Sequence, residues 1–192
     1  MSKKFILAQI FFVFAFAAVL FFYWQRGKDS GLPVYGTVAG FQLQDQDGKN
    51  VTLAFFKGKV WVADFMFTTC GSLCPLMSRH MADLNQVFSA FNDVCFASIS
   101  VNPENDTPFT LKTYARKYNA DGRQWVFLTG PRPNIQELVV GSFKVGDIKD
   151  IVFHSPMFVL VDRKARIRGY YDSTDTGRLK QLEQDLPKLR RE

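Results

Sequence analysis

Residues 5–24 form an unbroken apolar run apart from Gln9. No other feature restricts the chain more. Wound as a helix, twenty residues rise about 30 Å, the thickness of a bilayer's hydrocarbon core, and Tyr23 and Trp24 fall where interfacial aromatic residues belong. The run is expected to span a membrane once. A cleaved signal peptide is the rival, since Ala15-Phe16-Ala17 imitates a cleavage site, but the run continues through Val19, Leu20, Phe21 and Phe22 instead of turning polar. An uncleaved N-terminal anchor over residues 1–26 is therefore expected. Lys3 and Lys4 flank one end and Arg26 and Lys28 the other, so charge alone barely orients it. The usual insertion of a short N-terminal anchor puts the tail inside the cell and the globular part outside. With no Arg- and Ser-rich transit peptide ahead of it, a bacterial inner membrane, with the globular part in the periplasm, is the simplest address.

Without that run, roughly 160 residues of ordinary composition remain, enough for one sizeable core. Residues 27–40, with Gly31, Pro33 and Gly36, read as a linker, and residues 41–192 as the folded domain. Three cysteines are too few for a disulfide-stapled fold, and an odd number leaves one unpaired, so chemistry is the expected use of two of them. The net charge of +6 is not accompanied by an aromatic-rich repeat or a nucleic-acid-reading motif. A solvated basic surface, or attraction to acidic partners or anionic lipid, is expected, and no nucleic acid partner.

The hydrophobic periodicity alternates between strand and helix. Phe41, Leu43, Val51 and Leu53 alternate around the turn Asp47-Gly48-Lys49, a hairpin signature. Residues 60–67 and 94–101 are nearly continuous apolar runs of strand length, as buried central strands are. Leu76, Leu84, Val87 and Phe88 follow the first at helical spacing. Residues 108–118 predict a helix capped by Thr107 with Pro108 at its first position. A short strand at 125–128 and a short helix at 135–143 come next, then strands at 157–161 and 167–171 around Asp162-Arg163-Lys164. Leu179, Leu182 and Leu186 mark a closing amphipathic helix. This order predicts an α/β, thioredoxin-like fold: a central β-sheet flanked by helices on both faces.

Cys70-Gly71-Ser72-Leu73-Cys74-Pro75 lies between the first long buried strand and a helix. On a helical turn, four residues at 1.5 Å each separate the two Cα atoms by about 6 Å, which a disulfide or one soft metal ion can bridge. A helix N-terminus also favours thiolate. Paired thiolates select Cu(I) or Zn(II). His154 precedes Ser155-Pro156 and the strand at 157–161, so it stands at a strand entrance, and two thiolates with one imidazole would give trigonal Cu(I).

Three motifs occur in order: Asp64-Phe65-Met66-Phe67-Thr68-Thr69-Cys70 with Cys74-Pro75, then Val101-Asn102-Pro103-Glu104-Asn105-Asp106-Thr107-Pro108, then His154-Ser155. Together, over about residues 38–190, they resemble the Sco/SenC family. The resemblance implies a thioredoxin-like domain tethered by one N-terminal helix, with Cys70, Cys74 and His154 as copper ligands. It implies a chaperone role in assembling the CuA centre of cytochrome c oxidase, whose CuA-containing subunit, or another cuproprotein, would be the partner. The sequence departs from the family at Asn102, where Asp is frequent, and at Gly71-Ser72-Leu73, where Pro commonly follows the first Cys. The first departure leaves the role of Asp106 open; the second bears on loop rigidity more than on ligand identity.

An alternative is a thiol-disulfide oxidoreductase in which Cys70 and Cys74, as a redox pair, reduce cysteines of a copper-receiving partner and draw electrons from a thiol-disulfide reductant. Histidine is dispensable for that reaction. Zinc with an open fourth position is a further alternative. Asp64, six residues before Cys70, stands at the offset of the buried acid of thioredoxins and would exchange protons with a thiol if desolvated. Cys95 lies in an apolar strand and reads as core, as do Met77 and Met81, with His80 at the surface.

Overall fold

The computed structural model describes residues 14–17, 30–146 and 155–192. The expected anchor, apart from one helical turn at 14–17, and His154 lie outside the described residues. Among the described residues, no helix is long and apolar enough to cross a membrane.

The strands are β1 (Gly36–Thr37), β2 (Gln42–Asp45), β3 (Asn50–Thr52), β4 (Val60–Met66), β5 (Val94–Ser100), β6 (Trp125–Thr129), β7 (Met157–Val161) and β8 (Arg166–Asp172). They make one sheet in the order β1-β8-β7-β4-β5-β6-β2-β3. Strands β4, β5 and β6 are parallel, and β7 returns antiparallel to β4 with Val161 opposite Trp61 and Val159 opposite Ala63. Every residue of β4 and β5 is buried, because helices cover both faces of the sheet's middle.

Alternation along β4 sends Trp61, Ala63 and Phe65 to one face and Val60, Val62, Asp64 and Met66 to the other. On the first face they meet Ile135, Leu138, Val139 and Phe143, from α3 (Arg132–Gln136), its π-helical continuation Glu137–Ser142 and the residue after it. Trp61 stacks on Phe56 at 4.2 Å between centroids and meets Phe143 edge-on at 5.7 Å. On the second face lie Met77, Met81 and Leu84 of α1 (Leu73–Val87), Leu111 and Tyr114 of α2 (Pro108–Arg116), and Leu182, Leu186 and Leu189 of α4 (Thr176–Arg191). The chain is an α/β fold of thioredoxin-like type, as the order of its elements predicts.

Local chemistry sets the boundaries. Thr107 caps α2 through its side chain, which accepts from the Thr110 N–H, and Pro108 opens the helix. Helix α3 begins at Arg132, three residues before the expected start, since Pro133 in its first turn pre-sets φ where no N–H is needed. Pro187 stands inside α4, where the carbonyl it leaves without a donor belongs to exposed Glu183.

The segment expected as a linker, 27–40, is docked from Ser30 onward, so folded structure begins before residue 41. Gly36 and Thr37 pair with Ile167 and Arg166, and Val38 is buried. The cause is Arg168, only 3% exposed, whose Nη2 donates to the Leu32 carbonyl and Ser30 Oγ, both at 2.8 Å, while Nε donates to the Pro33 carbonyl at 3.1 Å. Its Nη1 is neutralised by Asp162 and Glu192, each at 2.9 Å. A buried guanidinium must have every N–H satisfied, and the chain before β1 supplies the carbonyls.

Arg168→Ala is expected to lower stability by about 3 kcal/mol in urea unfolding, because it removes the buried cation shared by Asp162 and Glu192 and the donors to the Leu32 and Pro33 carbonyls, leaving Asp162 with Arg166 alone as its ion-pair partner. Limited proteolysis should then cut within residues 30–37 in the variant before the wild type; equal resistance would mean the segment is held by something else.

Candidate metal centre

Strand β4 ends at Met66, and the loop after it delivers Cys70 to the start of α1. Ser72, the residue before α1, makes no side-chain capping bond. The Cys70 sulfur takes that place: the Cys74 N–H donates to it at 3.4 Å, and the N–H groups of Ser72 and Leu73 also point to it. Burial works to raise the Cys70 thiol, but these N–H groups and the Cys74 thiol outweigh it and hold Cys70 below the ordinary thiol value.

Cys74 behaves oppositely. Burial pushes its thiol up to about 12, and the neighbouring Cys70 and Asp64 charges add to that. All three cysteines, at 70, 74 and 95, are buried thiols. The pair therefore has one sulfur poised as thiolate and one that keeps its proton and donates it to the first. Two adjacent sulfurs of this kind suit a soft cation; among the described residues no group of three His, Cys, Asp or Glu is placed to hold a metal. A third ligand must come from elsewhere. His154 lies outside the described residues. Met157, three residues later, starts β7, whose register with β4 sets it level with the end of β4 from which the Cys70 loop springs.

Asp64 faces the same side as the cysteines and is fully buried. Neither carboxyl oxygen has a hydrogen-bond partner of normal geometry. The Ser98 hydroxyl, opposite it on β5, gives only partial relief and already accepts from Trp125 Nε1 at 3.0 Å. Desolvation thus pushes the Asp64 carboxyl up to about 7.

Asp106 is the residue whose role the sequence left open. It is completely buried, accepts from the Thr68 N–H at 3.1 Å and the Thr68 hydroxyl, and takes a third bond from Ser100 Oγ at 2.6 Å. The Asp106 N–H donates to the Asn102 carbonyl at 3.0 Å. The 102–106 loop is thereby fastened to the segment entering Cys70. Three short-range polar residue types, at 68, 100 and 106, were visible in the sequence, but their convergence depends on β4 and β5 lying side by side.

The remaining candidates are structural. Cys95 sits inside β5, and burial pushes its thiol up to about 12. Met77 and Met81 are fully buried in the core. His80 is half-buried, with Nδ1 at 3.0 Å from the Ser173 carbonyl.

Residues 33–189 match the model of the SCO1/SenC family. The chain is 41% identical over 157 residues to the SCO1 protein homolog of Bacillus subtilis strain 168, covering 79% of this chain and 80% of that protein. A solved structure of BsSco, a member of the Sco family of cytochrome c oxidase assembly proteins in which a disulfide switch was identified, is similar with a TM-score of 0.71. It is 37% identical, with 83% of this chain and 96% of that one covered. ScoI of Bradyrhizobium japonicum, solved with copper bound, is similar with a TM-score of 0.65 at 26% identity, over 80% of this chain and 99% of that one.

Two outcomes follow from the asymmetry of charge. In reduced protein at neutral pH, iodoacetamide should modify Cys70 first, with a rate midpoint below that of an ordinary thiol, while Cys74 and Cys95 stay unmodified until unfolding; mass spectrometry showing Cys74 first would reverse the assignment. Native Asp64 holds a proton that the unfolded chain releases between about pH 4 and 7, so its cost grows through that window and is complete above it. Asp64→Asn should therefore gain about 2–4 kcal/mol more stability at pH 8 than at pH 5 in urea unfolding of the reduced protein, and a pH-independent difference would place the carboxylate in a polar setting.

Proposed function

The chain belongs to the SCO1/SenC family, and on that premise we propose that it is a membrane-tethered copper chaperone. It carries copper to the CuA centre of cytochrome c oxidase or to another cuproprotein. The observation that carries the reading is the contact of Cys70 and Cys74 at the N-terminus of α1, with a Cys74 N–H on the Cys70 sulfur. Copper binding by ScoI and the assembly role of the Sco family to which BsSco belongs support it.

Copper is the cargo. Cys70 offers a sulfur that N–H groups already stabilise as an anion, so it is the first to engage the ion. Cys74 then loses its proton, which the ion's charge makes favourable despite burial. His154 completes a trigonal site through its imidazole; the position of Met157 at the same end of the sheet supports that assignment. A low coordination number lets a ligand of the acceptor enter before one of the chaperone's leaves. Oxidation of the two thiols to a disulfide, with loss of two protons and two electrons to an acceptor, removes both sulfurs from copper, so loading depends on redox state and on a thiol-disulfide reductant.

The inequality of the two thiols favours a second reading, thiol-disulfide exchange. A thiolate at 70 attacks a partner's disulfide, releasing one partner sulfur as thiolate; the thiol at 74 then gives up its proton, which a departing partner sulfur takes up, and its sulfur displaces the partner from Cys70 to leave a Cys70–Cys74 disulfide and a reduced partner. The residues 5–24 anchor the domain to a bacterial inner membrane on the periplasmic side in either reading.

Full-length, reduced protein in detergent is expected to take up one Cu(I) per chain and none once oxidised. Cys70→Ser, Cys74→Ser and His154→Ala should each weaken binding beyond the roughly tenfold loss typical of an outer-sphere partner. Full affinity in His154→Ala would remove the third ligand, and retained reduction of a partner disulfide with lost copper delivery in that variant would separate the two activities.

A further inference from the structure

The end of the sheet opposite the cysteines is basic, and it is also the end from which the tether departs. We infer that this end is a docking face for the anionic headgroups of the bilayer in which the chain is anchored, which fixes the domain with its cysteine pair turned away from the membrane. The inference rests on the anchor reading of residues 5–24 and goes beyond it.

Polar contacts join several segments at this end. Arg163 Nη1 donates to the Gly58 carbonyl, just before β4, at 2.7 Å, and its Nη2 reaches the Arg190 carbonyl at 3.0 Å and Asp93 at 2.7 Å. Arg166 and Arg168 reach Glu192, and Glu192 accepts from Ser30 Oγ at 2.6 Å. The start of β4, the β7–β8 turn, the last turn of α4 and Ser30 are thus one contiguous surface. Lys57, Lys164, Lys188 and Arg191 are exposed on it. Lys188 is paired with Asp185, whereas Lys57, Lys164 and Arg191 form no ion pair among the described residues. A groove of about 460 Å³, with Leu53, Ala54 and Ala165 in its walls, opens between Lys57, Arg163 and Lys164. Cations around an apolar groove match a phosphate headgroup above its glycerol and acyl portion.

Chain length brings the bilayer within reach. Five residues separate Trp24 from Ser30. Fully extended, those six steps span about 20 Å at most, so the Ser30 end cannot stand farther than that from the interfacial aromatic residues. From Val60 to Met66, β4 runs about 20 Å away from that end toward Cys70. A domain held so near an anionic surface turns its unpaired cations to it, since attraction acts within about a Debye length, near 8 Å at physiological salt.

The test uses the full-length protein in nanodiscs of phosphatidylcholine alone and of phosphatidylcholine with about one third phosphatidylglycerol, read by hydrogen-deuterium exchange. Backbone amides at 57–59, 162–166 and 188–192 should exchange roughly twofold or more slowly in the anionic discs, with the difference lost near 1 M salt, where screening is about 3 Å. The triple variant Lys57→Glu, Lys164→Glu, Arg191→Glu should abolish the difference while β5 keeps its wild-type protection, which shows the fold intact. Equal exchange in both discs, protection at 70–74 and 103–109 instead, or protection that survives the triple variant overturns the inference while leaving the anchor in place. A chain that stays with neither disc overturns the anchor itself and this inference with it.

Discussion

The chemistry of the molecule depends on the Cys70 sulfur taking the place of a helix cap. The first N–H groups of a helix must find acceptors, and here no side-chain oxygen at Ser72 serves them. Sulfur is a weak acceptor when protonated and a good one when ionised, so the same geometry that completes α1 also selects the thiolate at 70. Cys74, one turn on, points back toward the sheet and the Asp64 carboxyl and is held protonated. A single helix start thus produces two unlike sulfurs from two identical residues.

That helix start is held in place by charge buried below it. Asp106 is fixed to β5 by Ser100 and binds both the N–H and the hydroxyl of Thr68, so the approach to Cys70 cannot move without breaking the hydrogen bonds of Thr68 to a buried carboxyl group. Asp64 lacks such partners and is destabilising in its ionised form. The two acids, both in or beside central strands, therefore have opposite tasks: one fastens the loop, and the other leaves an unsatisfied group beside the thiols, where a change of charge on either is felt by the other.

The central elements were legible because burial on both faces leaves no choice of residue. The runs at 60–67 and 94–101 became β4 and β5 within one residue, and Thr107-Pro108 began α2 as local capping chemistry requires. Long-range electrostatics was not legible. Gly31, Pro33 and Gly36 carry every mark of a linker, yet Arg168, more than a hundred residues away, needs the carbonyls of Leu32 and Pro33. The same holds for Asp106, whose partners at 68 and 100 are adjacent only once β4 and β5 pair. The cysteine pair was readable because its spacing is local to one helical turn. Whether an imidazole from 154 joins it depends on strand register, which sequence spacing does not contain.

Arg168 also decides how the two ends of the domain relate to the chain before it. A flexible tether would let the domain rotate freely and present its cysteines in any direction. By fixing the chain from Ser30 to Thr37 against β8 and Glu192, the buried guanidinium shortens the stretch left before the domain and brings its point of departure to the basic end. A parallel strand separates its two ends by its own length, so whatever holds the start of β4 near a surface necessarily lifts the end of β4, and the sulfurs beyond it, away from that surface. Access to the thiols from the side facing solvent is then a consequence of strand direction, of one buried cation and of the exposed cations at the docked end.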